Sequence, residues 1–186
     1  RELAGMRDAN LAPEAIRGIA WRGPGGAYTV NPPRELMDLA TLPPAARHLT
    51  RPYRDRQLYF RGTWRPTDSI ISSRGCPFRC NFCGLWKIHR GKYRCRPPEQ
   101  VADELQLITD PFVNFVDDNT LDHVRNAERL AEVVRERGIR KTYELYARAD
   151  TVVSHPGLVA TWRDLGMKLL LIGLESVDPA ALAAMN

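Results

Sequence analysis

Residues Ser72 to Gly84 read SSRGCPFRCNFCG and set Cys76, Cys80 and Cys83 in a C-x3-C-x2-C spacing. Three thiolates on one short loop can ligate three irons of a cubane cluster. Iron–sulfur clusters normally take four protein ligands, so a fourth iron is left open. An open position lets a substrate or cofactor reach the metal, which separates a reactive site from a closed structural one. Gly75 and Gly84 flank the loop, where a missing Cβ lets backbone pass close to a cluster. The competing reading is a zinc knuckle made of the same thiols and Cys95. Zinc sites pair a tight C-x2-4-C with a second ligand pair about a dozen residues on, and here a lone cysteine follows. Four cysteines in 186 residues are too few for a disulfide scaffold.

Outward from this loop the pattern is regular. Apolar runs of strand length lie at Ser69 to Ser72, Phe112 to Val116, Thr142 to Ala147 and Lys168 to Gly173, each followed by a segment of helical period. The first helix is expected after Pro97 and Pro98, with Val101, Leu105 and Ile108 on one face. The second carries Val124, Ala127, Leu130 and Val134 and ends at Gly138. A third is expected from near Ser154 to Gly166 and a fourth after Asp178 and Pro179. Strands alternating with helices predict βαβ units around a parallel sheet, with ligands at the carboxyl ends of the strands.

Upstream, GIAWRGPGGAYTVNP predicts two short strands, about Gly18 to Trp21 and Ala27 to Val30, around a Gly-Pro-Gly-Gly turn. Residues 32–66 are rich in proline and arginine and read as a linker packed along a larger body. Within it, RPYRDRQLYFRGTWRP interleaves Arg51, Arg54, Arg56, Arg61 and Arg65 with Tyr53, Tyr59, Phe60 and Trp64, an arrangement that could stack single-stranded nucleic acid. The favoured reading is an ordered linker whose aromatics anchor it to the body. A net charge of +5, from 27 Lys and Arg of which 4 are Lys, suits a solvated surface better than a nucleic-acid partner. There is no run of eighteen apolar residues and no signal-peptide core, so neither a membrane span nor export is expected, and clustered free thiols point to a reducing cytoplasm.

The cysteine loop, with Phe82 before the third cysteine, resembles that of the radical S-adenosylmethionine superfamily. The organisation GIA-x-R, NPP and a proline-punctuated approach resembles the subfamily in which a cobalamin-binding domain precedes the radical core. The resemblance implies an incomplete (βα) barrel with about four of six units. Residues 1–31 would be the tail of a preceding, cobalamin-binding domain, 32–66 a linker, and 67–186 the first part of the core, with both termini truncated. It implies a 4Fe-4S cluster on Cys76, Cys80 and Cys83, and S-adenosylmethionine on the open iron, cleaved to a 5′-deoxyadenosyl radical. Cobalamin would be held by a domain upstream, an external donor such as flavodoxin or ferredoxin would supply electrons, and a small molecule would be the substrate. Methyl transfer to an unactivated carbon is the leading activity, with cyclisation, rearrangement and methylthiotransferase-like chemistry as alternatives. A zinc-stabilised nucleic-acid-binding module is the opposed class.

The strand ends supply the remaining candidates. FVDDNT puts two adjacent carboxylates at one tip, costly without a cation or hydrogen bonds. The resemblance gives Asp117 and Asp118 to the amino group of S-adenosylmethionine, against helix capping by Asp118 or Asn119. In YARADTV, Arg148 could clamp a carboxylate, which the resemblance identifies as the methionyl one, against a surface pair with Asp150. In IGLES, Glu175 and Ser176 suit ribose hydroxyls, against a cap by Ser176. His89 and His123 are assigned no role, Cys95 reads as inert, and the basic run from Lys87 to Arg96 is open between anion attraction and solvation.

Overall fold

A computed structural model describes residues 12–185, and the first eleven residues of the expected domain tail, 1–11, lie outside them. The chain divides into one compact unit ending at Met37 and another beginning at Asp38.

In the first unit, strands β1 (Ala20–Arg22) and β2 (Tyr28–Val30) form the expected antiparallel hairpin, with Ala20 opposite Val30. A two-stranded ribbon of this length needs further support. Asn31 supplies part of it. Its amide donates to the carbonyls of Pro13 (2.6 Å) and Ile16 (2.7 Å), and its carbonyl accepts from Trp21 Nε1 at 3.1 Å.

The second unit contains the parallel sheet. Its leading segment includes helix α1 (Arg51–Asp55), and then come strands β3 (Thr67–Ile70), β4 (Ser73–Arg74) and β5 (Arg94–Cys95), with helix α2 (Leu85–Ile88) between β4 and β5. Helix α3 (Pro98–Leu107), β6 (Phe112–Phe115), α4 (Val124–Glu136) and β7 (Thr142–Arg148) follow. The chain continues through α5 (Ala149–Ser154), α6 (Pro156–Asp164), β8 (Met167–Gly173) and α7 (Pro179–Ala184). β3, β6, β7 and β8 lie in that order, all parallel. The sheet is the expected set of four βα units. The first strand sits two residues earlier than the apolar run predicted, because Ser72 and Ser73 turn away into the ribbon of β4 and β5.

Strand period two divides the sheet into two faces. On the face under the helices, Val113, Phe115, Tyr143 and Leu145 are fully buried with Val101, Leu105, Ala131, Val134 and Trp162. The rings of Phe115, Tyr143 and Trp162 meet edge to face, with centroids 5.7–5.9 Å apart. Each large apolar side chain buried this way stabilises by about 1.5–3 kcal/mol. The opposite face carries Asn114, Glu144, Tyr146, Leu169 and Leu171, and stays open beside β8.

Three arginines of the linker-like segment pair with buried carboxylates. Arg47 reaches Asp68 (2.7 Å) and Glu104, Arg54 reaches Asp68 and Asp110, and Arg61 takes both oxygens of Glu144. Trp64 stacks on Phe112 at 5.3 Å, and Arg65 lies over Phe60 at 4.4 Å. Part of the segment's cations and rings thus tie it to the body, while Arg51, Tyr53 and Phe60 stay exposed.

Candidate functional site

The cysteine loop is an excursion between β4 and β5, clasped at its base where Ser73 pairs with Cys95 and Arg74 with Arg94. The segment after β6 holds that base. Asp117 is buried, with one oxygen accepting from the amides of Ser72 (2.8 Å) and Ser73 (3.0 Å) and the other from the Ser72 hydroxyl. Burial pushes its carboxyl above the usual range in spite of these donors. Asp118 accepts from the Gly75 amide at 2.6 Å and lies 3.4 Å from His89 Nε2. The Tyr93 hydroxyl donates to the carbonyl of Asn119 at 2.7 Å. The adjacent carboxylates are thus made tolerable by donors from the loop, mostly its backbone amides, and neither caps a helix. His123 caps α4 instead, accepting from the Asn126 amide.

Gly75 shows how tightly the loop is docked. Its φ is +94°, and a Cβ there would fall 2.1 Å from the carbonyl oxygen of Lys92. The backbone then turns through the cysteines, with the Cys83 amide donating to the Cys80 carbonyl (3.0 Å) and Trp86 Nε1 to the same oxygen (3.2 Å). Asn81 ties the loop to the end of α7 through the carbonyls of Met185 (2.8 Å) and Ala184 (2.6 Å). All three cysteines are free and half-buried, and burial holds the Cys76 thiol above its ordinary range. Cys95 stands apart on β5, its thiol pushed up to about 11 by burial and by Asp117 and Asp122, the signature of an inert thiol.

The ends of β7 and β8 complete a pocket of about 390 Å³ beside the loop, lined by Cys80, Phe82, Arg148, Asp150, Gly173, Glu175 and Leu182. Arg148 is held on two sides. Its Nε and Nη2 bond Asp150 (3.1 and 2.9 Å), the surface pair weighed from the sequence, while Phe78 lies flat beneath the guanidinium at 3.6 Å. Its third nitrogen, Nη1, is directed at the Cys80 sulfur, 3.8 Å away. Glu175 has φ +57°, and its carboxylate folds back over Gly173 into the space a Cβ would fill. Ser176 faces elsewhere, accepting from the Asp178 amide at 3.0 Å, and it is Asp178 that caps α7.

The structure therefore gathers Cys80, Phe82, Arg148 and Glu175 at one pocket, places Asp117 and Asp118 under the loop, and turns Ser176 aside. Among the described residues, no group of three or more His, Cys, Asp or Glu is arrayed to hold a metal ion. The donor chemistry nevertheless fits an iron–sulfur group: three thiols within eight residues on a loop braced by backbone hydrogen bonds, with a cation at one sulfur. Phe78 and Asn81 were not singled out from the sequence. Asp150, weighed from the sequence as a surface partner of Arg148, instead orients that guanidinium at the pocket. No helix among the described residues is long and apolar enough to cross a membrane.

Comparison with known proteins adds to this geometry. The chain is 34% identical over 127 residues to the hopanoid C-3 methylase of Methylococcus capsulatus, covering 68% of this chain and 25% of that protein. It is 26% identical over 118 residues to the anaerobic magnesium-protoporphyrin IX monomethyl ester cyclase of Rubrivivax gelatinosus, covering 61% and 21%. It thus spans about a quarter of the length of these relatives. Among solved structures it is similar to the cobalamin-dependent S-adenosylmethionine radical enzyme OxsB, with a TM-score of 0.78 at 18% identity over 100% of this chain and 28% of that one. It is also similar to the radical S-adenosylmethionine methyltransferase TsrM from Kitasatospora setae, with a TM-score of 0.66 at 18% identity over 99% and 37%. At that identity the likeness is one of fold. Residues 70–186, which carry the cysteine loop and the ends of all four parallel strands, match the Radical SAM superfamily, and the chain belongs to that family.

Proposed function

We propose that this chain carries the cluster loop and part of the cofactor pocket of a radical S-adenosylmethionine enzyme that transfers a methyl group from cobalamin to an unactivated carbon. The observation that carries this reading is the convergence of Cys80, Phe82, Arg148 and Glu175 on one pocket at the carboxyl ends of parallel strands. Relatives named as hopanoid methylases favour methyl transfer, and the relative named as a cyclase keeps ring closure as the second reading. When bound, the cluster supplies the electron that cleaves S-adenosylmethionine to a 5′-deoxyadenosyl radical.

The residues of this chain bind, orient and shield. Cys76, Cys80 and Cys83 would hold the cluster. Asp150 fixes one edge of the Arg148 guanidinium and Phe78 fixes its plane, leaving Nη1 to receive a carboxylate beside Cys80. Glu175, folded over Gly173, offers a carboxylate to ribose hydroxyls from the opposite wall of the pocket. Asp117 and Asp118 act as positioning residues that set the loop's height over the sheet. Cobalamin would come from a domain outside the residues described.

Anaerobic reconstitution with iron and sulfide should give a brown protein with broad visible absorbance. Changing Cys76, Cys80 or Cys83 to Ala should abolish it, whereas Cys95→Ala should not. S-adenosylmethionine should then perturb the electron paramagnetic resonance signal of the reduced protein, with Arg148→Ala weakening the response roughly ten- to a hundredfold, the loss of a charge-assisted hydrogen bond. Equal dependence on Cys95, or a spectrum indifferent to saturating ligand, would sink the assignment.

A further inference from the structure

Links between the residues that line the pocket of about 390 Å³ form a closed circuit. Arg148 Nη1 lies 3.8 Å from the Cys80 sulfur, and Arg148 pairs with Gly173 across β7 and β8. From Gly173 the backbone runs through Glu175 into α7, whose Leu182 lines the pocket together with Met185 just beyond the helix. Asn81 joins that end back to the cysteine loop. Its backbone amide donates to the Met185 carbonyl (2.8 Å) and its side-chain amide to the Ala184 carbonyl (2.6 Å). Asn81 stands between Cys80 and Phe82, which both line the pocket, so the circuit returns to where it began.

The links of this circuit differ in strength. Arg148 and Gly173 are partners in a hydrogen-bonded parallel sheet, which fixes the start of the Glu175 segment relative to Arg148. Helix α7 has no comparable support. None of its residues is buried, so apolar packing does little to decide where the helix lies. The last carbonyls of a helix have no partner within it, and here the carbonyls of Ala184 and Met185 accept from Asn81. Asn81 itself is exposed and does not line the pocket. Its two bonds act on the wall that carries Leu182 and Met185, and through α7 on how far Glu175 stands from the cysteine loop.

We propose that Asn81 is a positioning residue that fixes the separation between the cysteine loop and Glu175, and so matches the pocket to a ligand that must reach both. This rests on the functional reading above, in which S-adenosylmethionine presents its carboxylate to Arg148 beside Cys80 and its ribose to Glu175. A ligand of two linked parts gains affinity because binding of one part holds the other at high effective concentration, and the gain is lost when the two subsites no longer fit the span of the link. A wall already held in place also spares the ligand the cost of ordering it. Asn81 therefore acts on the joined ligand and not on either half.

The test compares S-adenosylmethionine with its two halves, methionine and 5′-deoxyadenosine, by anaerobic titration calorimetry on the full-length, cluster-loaded protein. Asn81→Ala removes the side-chain donor and keeps the backbone one. Affinity for S-adenosylmethionine should fall roughly two- to tenfold, the weight of one neutral hydrogen bond, while that for each half changes by less than about twofold. Asn81→Gln, which keeps an amide donor, should recover part of the loss. Hydrogen exchange on the protein without cluster or ligand reads the clamp by itself: the amides of Leu182 and Met185, bonded to the carbonyls of Asp178 and Leu182, should exchange faster in Asn81→Ala, with those of β7 unchanged. Halves that weaken as much as the joined ligand, an unchanged affinity for S-adenosylmethionine, or unaltered exchange at Leu182 and Met185 would each overturn this proposal alone. Failure of the unmodified protein to bind any of the three ligands would overturn the functional reading and this proposal together.

Discussion

Replacing Gly75 with Ala should release the cysteine loop while leaving the sheet folded. A left-handed backbone costs an ordinary residue about 1–2 kcal/mol, and Gly75 has φ +94°. The added Cβ would also lie 2.1 Å from a backbone oxygen, Lys92 O, and 3.1 Å from His89 Cβ. No side-chain rotation relieves a clash with backbone, so the gap must open by about 1 Å, and overpacking of this kind costs about 1–3 kcal/mol. If the loop retreats instead, the Gly75 amide leaves Asp118, a charge-assisted bond worth about 1.5–3 kcal/mol. Either route costs about 2–5 kcal/mol, less than the stability of most domains, and the aromatic cluster of Phe115, Tyr143 and Trp162 lies on the other face of the sheet. Hydrogen exchange should therefore accelerate on the order of thirtyfold or more at the amides of Ser72, Ser73 and Gly75, with those of β7 nearly unchanged, and iron uptake should fall. Gly84→Ala is the control, since its φ is −87° and nothing lies within 4 Å of the added carbon. Native protection and full iron loading in Gly75→Ala would refute the reasoning.

Acid should loosen the anchoring of the linker-like segment. Burial opposes the charged forms of Asp68 and Glu104, but Arg54 and Arg47 at Asp68, and Arg47 and Arg96 at Glu104, outweigh it and hold both carboxyls below the usual range. Groups with depressed folded values stabilise fully above their unfolded values, about 4, and lose that contribution as pH falls through the folded ones. Asp110, which shares Arg54 but is pushed up by burial, contributes with the opposite sign and reduces the net effect. Urea midpoints should thus fall below about pH 4, and Glu104→Gln should flatten that slope; an unaltered slope would count against the network. Tyr143→Phe should be neutral or stabilising by up to about 1 kcal/mol in thermal melts, because its buried hydroxyl has no partner among the described residues. A loss greater than 1 kcal/mol would mean that the hydroxyl is bonded in solution.

Local order in this protein is legible from its residues. The spacing of Cys76, Cys80 and Cys83, the proline starts of α3 and α7, and the alternation of apolar strand with amphipathic helix all act within about a dozen neighbours, which is the reach of propensity and periodicity. The fold class, the four parallel strands and the set of residues to inspect at their ends follow from that. What those residues do required the tertiary structure. Asp117 and Asp118 look alike in sequence at a strand tip, yet both turn beneath the loop because the amides of Ser72, Ser73 and Gly75, 43–45 residues away, arrive there unpaired. Arg61 reads as one cation in an aromatic, basic stretch, and becomes the partner of a fully buried Glu144 83 residues on only when the sheet has formed. Hydrogen bonds and ion pairs between distant residues leave no periodic trace in the chain, since the partner is chosen by which strands lie side by side; the ribbon of β4 and β5 and the pocket at Cys80 are both consequences of that choice.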